Sequence, residues 1–280
     1  MSNPHYENFP VASWLCPPAL RAPILAIYQF ARTADDIADE GHACAAERQA
    51  DLQAYRDDLQ ALACGNAPST RWQSVMQPLA QAINAHHLPI HLLDDLLSAF
   101  LQDTHQTSYA DREELLDYCR RSANPVGRLL LHLYGVNDAL ALKQSDAICS
   151  ALQLANFWQD LSIDCPRGRI YVPGTELREY AVLDSQLMAL EHDISCRLML
   201  HKLVDWAEQL MLSGAPLVHQ LPGCAGWELR LVVQGGLRIL EKIKNMNYTS
   251  LTSRPKVNGT DAPKMIWRAM LMRKSPEGLT

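Results

Sequence analysis

Apolar residues recur at spacings of three and four along almost the whole chain, and nowhere do apolar and polar residues alternate for long enough to make a strand. Such a chain can bury its apolar faces only by packing helix on helix, so the expected fold is all-α. Helices are predicted over 18–40, 46–64, 70–85, 90–104, 111–134, 138–164, 184–213 and 224–246. The breaks fall at turn-forming clusters: "CGNAPS" at 64–69, "HHLP" at 86–89, "YGVND" at 134–138, "CPRGR" at 165–169 and "LPGCAG" at 221–226. None is long enough to join two domains, so residues 1–280 are expected to form a single one.

Composition narrows the function classes. With 25 basic and 31 acidic side chains, the net charge of −6 argues against a general nucleic-acid binder. No apolar run approaches a membrane span, and the N-terminus lacks a basic-then-apolar leader. The expectation is a soluble cytoplasmic protein. The eight cysteines contain no CxxC pair and read as reduced thiols, while "HHLPIH" at 86–91 reads as a helix boundary rather than a zinc site. From Arg254 onward the character changes, with six basic residues against two acidic ones and the mixed stretch "KMIWRAMLMRK". That basic segment, 254–280, reads as a helix docked on the body or as an interfacial helix near lipid, with peripheral contact at the inner membrane.

Two acidic stripes carry the chemistry. In "YQFARTADDIADE" at 28–40, Tyr28, Arg32, Asp35 and Asp39 share one helical face with Asp36 one step around, bordered by Ile24, Ile27, Ala31, Ala34 and Ala38. Like charges four residues apart repel, and Arg32 relieves only part of the repulsion. Hard carboxylate oxygens clustered in this way suit Mg²⁺. A second stripe repeats the geometry: Gln153, Asn156, Asp160 and Asp164 lie at spacings of three, four and four. Two such faces turned toward one another would wall a cavity able to hold Mg²⁺ and a diphosphate, with Arg167, Arg169 and Tyr171 following as donors to phosphate oxygens.

These pieces, "RTADDIAD" at 32–39, "YCRRSANPVG" at 118–127, "LQLANFWQDLSID" at 152–164 with "GRIYVP" at 168–173, and "NYTSLTSRPKV" at 247–257, resemble the squalene and phytoene synthase family of head-to-head isoprenoid synthases. The resemblance implies an all-α isoprenoid-synthase fold around a central active-site cavity. It implies Mg²⁺ held by Asp35, Asp36 and Asp39 from one motif and Asp160 and Asp164 from the other, with Asp35, Asp39, Asp160 and Asp164 as the catalytic set. Arg32, Arg169, Tyr171 and Arg254 match diphosphate-binding positions, and Tyr28, Asp103, Gln153 and Asn156 join them in the substrate cavity. Within the family, "HYENFPVAS", "RRSANPVG" and "NFWQDLSID" look most like the bacterial branch that makes hydroxysqualene from presqualene diphosphate.

One departure matters. Family members that condense two prenyl diphosphates usually read Arg-Asp and Glu-Asp in the second motif, where this chain has Gln159-Asp160 and Ile163-Asp164. The loss of an arginine and a glutamate puts a condensation of two diphosphates in doubt and is compatible with handling one. No dinucleotide fingerprint is present, so NADPH is not expected. The implied pathway partners are an upstream presqualene diphosphate synthase and a downstream hydroxysqualene reductase. The rival readings are a two-substrate condensation giving presqualene diphosphate or phytoene, and a non-catalytic relative acting as an assembly factor. Ala34, Ala38, Ala123, Val126, Leu130 and Ala155 could line an inert tunnel for the cation, although each is first of all a core position. Pro125 is expected to break its helix and to leave a polar spot near Ser122 and Asn124 for the water nucleophile.

Overall fold

A computed structural model describes residues 16–272. Among these, twelve α-helices follow one another: α1 (Pro18–Asp39), α2 (Ala45–Ala63), α3 (Gln73–His86), α4 (Ile90–Asp103), α5 (Arg112–Ser122), α6 (Asn124–Leu133), α7 (Ala139–Asp164), α8 (Gly174–Glu179), α9 (Asp184–Met188), α10 (Ile194–Gly214), α11 (Ala225–Asn245) and α12 (Ala262–Leu271). The described residues form no strand, and β pairing is confined to an isolated parallel bridge between Ser108 and Ile170. None of the helices is long and apolar enough to cross a membrane.

Local chemistry explains where the helices start. Asp111, Asp138 and Asp193 each cap a helix, accepting from the backbone N–H of Glu114, Ala141 and Cys196 at 3.0, 2.9 and 2.8 Å. α1 carries proline at its first turn, where the missing N–H costs nothing. The "HHLP" break is the predicted boundary: α3 ends at His86, and His87 turns left-handed at φ 50°.

The structure departs from the predicted helices chiefly in three places. The helix expected over 111–134 is two helices joined at Ala123, two residues ahead of Pro125, because proline fits the first turn of α6 and pushes the break upstream. The helix expected over 184–213 divides into α9 and α10, separated by left-handed Leu190 and restarted by the Asp193 cap. The short helix α8 fell in a segment with no predicted helix.

The apolar faces form three clusters. α1 to α4 enclose Phe30, Leu52, Tyr55, Leu59, Met76, Leu79 and Leu93. A second cluster gathers Leu154, Trp158 and Leu161 of α7 with Met199, Leu203 and Val204 of α10 and Ile239, Leu240 and Ile243 of α11. A third joins Leu131 of α6 to Ala141, Ile148 and Ala151 of α7 and Val233 of α11. The long α7 therefore serves two clusters and packs most extensively against α10. Their close approach depends on Gly214, where a Cβ would lie only 2.5 Å from the Gln144 carbonyl oxygen.

Beyond α7 the chain makes a 3₁₀ turn at Cys165–Arg167 and reverses through Gly168, whose φ of 77° favours glycine. It is then fastened to the α4–α5 connection. Ile170, Gly174 and Thr175 donate backbone N–H bonds to the carbonyls of Thr107, Tyr109 and Ala110 at 2.7, 2.9 and 3.1 Å.

Candidate active site

Both acidic motifs sit at helix C-terminal ends, a placement that the helix dipole disfavours and that neighbouring cations must offset. On α1, Arg32 reaches forward along its own helix, with Nη1 3.0 Å from Asp35, and Nη2 2.5 Å from Asp36 and 3.2 Å from Glu40. Asp39 is gripped from the far side by Arg169, which donates through both terminal nitrogens, one of them at 2.8 Å. Burial works against the Asp39 charge, but Arg169 prevails and holds this carboxyl below the usual range. Tyr28 lies half-buried one turn before Arg32.

The second motif has its own arginine. Arg254, in the connection between α11 and α12, forks onto Asp160, with Nη2 3.1 Å from Oδ2 and Nε on Oδ1. Asp164 has no such fork. Burial first, and then Asp160, push its carboxyl up to about 6, and Arg169 and Arg167 only partly counter them. Asp39 also acts on Asp164, so the C-terminal ends of the two stripes lie near one another.

A buried aromatic wall stands beside them. Tyr171 stacks on Phe157 with ring centroids 3.9 Å apart and on Tyr109 at 5.9 Å, and Tyr118 adjoins all three. Tyr118 donates to Asp103 Oδ2 at 2.9 Å, while Asp103 Oδ1 is buried without a hydrogen-bond partner. Burial, reinforced by Asp39 and Asp35, pushes the Asp103 carboxyl up to about 7. Asp103 thus lies near the acidic end of α1, although it comes from α4.

A narrow cleft opens between α7 and α11, lined by Leu152, Ala155, Asn156, Gly235, Gly236 and Val257. Gln153 lies half-buried on the same helix. Ala34 and Ala38 pack in the first core cluster, Ala155 borders the cleft, and Val126 is 37% exposed. Ser122 Oγ is buried without a partner, and Asn124 accepts from Ser150 Oγ at 2.9 Å.

Sequence reasoning underrated three contributors. Gln159 is 1% exposed and donates through Nε2 to the Pro255 carbonyl at 2.7 Å, which ties α7 to the segment bearing Arg254. Tyr109 and Phe157 complete the aromatic wall, and only their apolar character was visible in the sequence. All eight cysteines are free thiols.

The donor chemistry fits a hard divalent cation: oxygen ligands only, in carboxylate pairs one turn apart, with burial at Asp103 and Asp164 working against a carboxylate charge that the nearby arginines only partly relieve. In their present positions no three acidic, cysteine or histidine side chains among the described residues form a cluster that could hold one ion. Arginines hold Asp35, Asp36, Asp39 and Asp160.

The chain is similar to known proteins over most of its length. A family model described as squalene/phytoene synthase matches residues 2–261. A hydroxysqualene synthase from Sinorhizobium fredii is 37% identical over 241 residues, covering 86% of this chain and 79% of that protein. Another, from Zymomonas mobilis, is 40% identical over 168 residues, which are 60% of this chain and 54% of its own length. Among solved structures, squalene synthase HpnC from Alicyclobacillus acidocaldarius matches with a TM-score of 0.80 at 35% identity, covering 87% of this chain and 90% of that one. With the fold, the paired acidic motifs and a match spanning nearly the full length, the chain is an enzyme of isoprenoid biosynthesis that belongs to the squalene/phytoene synthase family.

Proposed function

We propose that this enzyme converts presqualene diphosphate and water into hydroxysqualene and diphosphate. Its similarity to proteins named hydroxysqualene synthase supports the reading. The observation that carries it is Gln159. Where two-substrate members of the family usually read arginine, this side chain is neutral, buried and committed to the Pro255 carbonyl, so it offers no charge to a second diphosphate.

In the reaction, the carbon–oxygen bond to diphosphate breaks, the rearranged cation takes a water oxygen, and one proton is released. Mg²⁺, held by Asp35, Asp36, Asp39, Asp160 and Asp164, would supply positive charge against the leaving diphosphate. Arg32, Arg169 and Arg254 contribute forked N–H donors to the phosphate oxygens, and Tyr171 adds a hydroxyl on the same wall. The aspartates act as ligands rather than as acids or bases. The stacked rings of Tyr109, Phe157 and Tyr171 would give a developing carbocation an aromatic wall that does not react with it at once. Asn156 and Gln153 would orient substrate along α7. No nicotinamide cofactor enters the scheme. A presqualene diphosphate synthase would supply the substrate, and a hydroxysqualene reductase would remove the hydroxyl.

The test is product analysis by mass spectrometry with Mg²⁺ and without a nicotinamide cofactor. Presqualene diphosphate should give hydroxysqualene, and farnesyl diphosphate alone should give no coupled product. A coupled product from farnesyl diphosphate would instead make the chain a condensing member of the family.

A further inference from the structure

Helix α12 is attached to the body by its charged side. Lys264 lies 2.5 Å from Glu241 of α11, and Arg268 reaches the same carboxylate at 2.8 Å, where Arg238 also binds at 2.9 Å. Arg230 donates to the carbonyls of Ala269 and Met272 at 3.0 and 2.9 Å, closing the C-terminal end of the helix. Ala269 is the one buried residue of α12.

The opposite face is apolar and open. Pro263, Ile266, Trp267, Met270 and Leu271 repeat at helical spacing, and the last four are 49, 59, 54 and 48% exposed. A helix that merely covers the core presents this stripe inward. Trp227, 45% exposed, extends the patch: its ring lies 4.9 Å from the Arg230 guanidinium that caps α12. Two exposed tryptophans beside aliphatic side chains form a surface suited to the boundary between lipid headgroups and acyl chains.

Charge decides what the patch meets. Residues 254–272 hold 4 basic side chains and 1 acidic one, a net of +3, whereas residues 16–253 hold 19 basic and 28 acidic ones, a net of −9. A negative surface therefore attracts the α12 end and repels the remainder, which sets one orientation.

We propose that the outward face of α12, together with Trp227, seats the enzyme on a bilayer containing anionic lipid. The segment leading into α12 carries Arg254 on Asp160 and Val257 on the cleft wall, so the docking face and the site are joined by a short connection. The use of such seating, delivery of a long isoprenoid chain from the membrane, rests on the proposed reaction. The binding itself does not.

Flotation of the full chain with vesicles tests the proposal. Protein should rise with vesicles of phosphatidylcholine and phosphatidylglycerol, with a blue shift in tryptophan emission, and bind pure phosphatidylcholine about tenfold more weakly. The double substitution Trp267→Glu, Met270→Glu should cut binding to the mixed vesicles about tenfold while leaving the thermal unfolding midpoint in place. No flotation with mixed vesicles, or flotation that the double substitution leaves unchanged, would overturn it. So would a dimer in solution that the same substitutions dissolve, because the face would then belong to a second copy. None of these measurements uses substrate, so their failure leaves the reaction standing, and failure of the product assay leaves this face standing.

Discussion

Arg169 and Arg254 come from different connections, yet each forks onto one carboxylate of a different acidic motif. A fork of this kind depends on a planar group with paired donors, which lysine lacks. Arg169→Lys and Arg254→Lys should each lower kcat/KM about a hundredfold with the charge retained; activity near that of the unsubstituted enzyme would show that only charge matters there. Asp103 makes a separate prediction. Its folded carboxyl, raised to about 7 from an ordinary 3.8, keeps its proton where the unfolded chain has lost it. Its contribution to stability is therefore complete below about pH 4 and is lost as pH rises through about 7. Asp103→Asn removes the buried charge and leaves an oxygen to accept from Tyr118. In buffer free of divalent ions, thermal melts should show a raised midpoint at about pH 8 and almost none of that gain at about pH 4. Equal gains at both would mean that the carboxyl is well hydrated.

At the scale of elements, the contact between α7 and α10 leaves little room for change. A Cβ on Gly214 would meet backbone, the Gln144 oxygen at 2.5 Å, whereas one on Gly236 of α11 would meet the end of the Met211 side chain at 2.6 Å. Gly214→Ala should cost about 2–3 kcal/mol in chemical denaturation and Gly236→Ala clearly less, because a methionine end can move; similar losses would contradict this packing. The same elements show what could be read from the sequence. Helix spacing gave most of the helices, and the i, i+4 aspartates of α1 and α7 picked out the candidate site, because both are local patterns. The break at Ala123 was displaced, since proline acts on the residues before it. The pairing of Arg254 with Asp160 spans 94 residues, and only the family resemblance suggested a shared cavity for them. The hold of Gln159 on Pro255 spans 96, with no local pattern to reveal it. For α12, the sequence showed two faces without showing which one the body takes: that choice is made by Glu241, which lies on another helix.

For the whole molecule, the proposed site at the acidic ends of α1 and α7 would make affinity for cations and for diphosphate mutually dependent. Mg²⁺ and inorganic diphosphate together should raise the unfolding midpoint by more than the sum of their separate effects, with about 2.7 kcal/mol of added stability at a hundred times the dissociation constant. Simple additivity in a thermal-shift titration would count against a shared site. Finally, the Arg169 segment is stitched by the amides of Ile170, Gly174 and Thr175 to the carbonyls of Thr107, Tyr109 and Ala110. Those amides are shielded from solvent exchange by bonds to another part of the chain, so they can trade hydrogen for deuterium only when the two connections separate. Deuterium uptake across 165–176 should therefore follow the slow curve of α7 rather than the fast one of surface loops. On that timescale, the arm that holds Asp39 behaves as part of the interior.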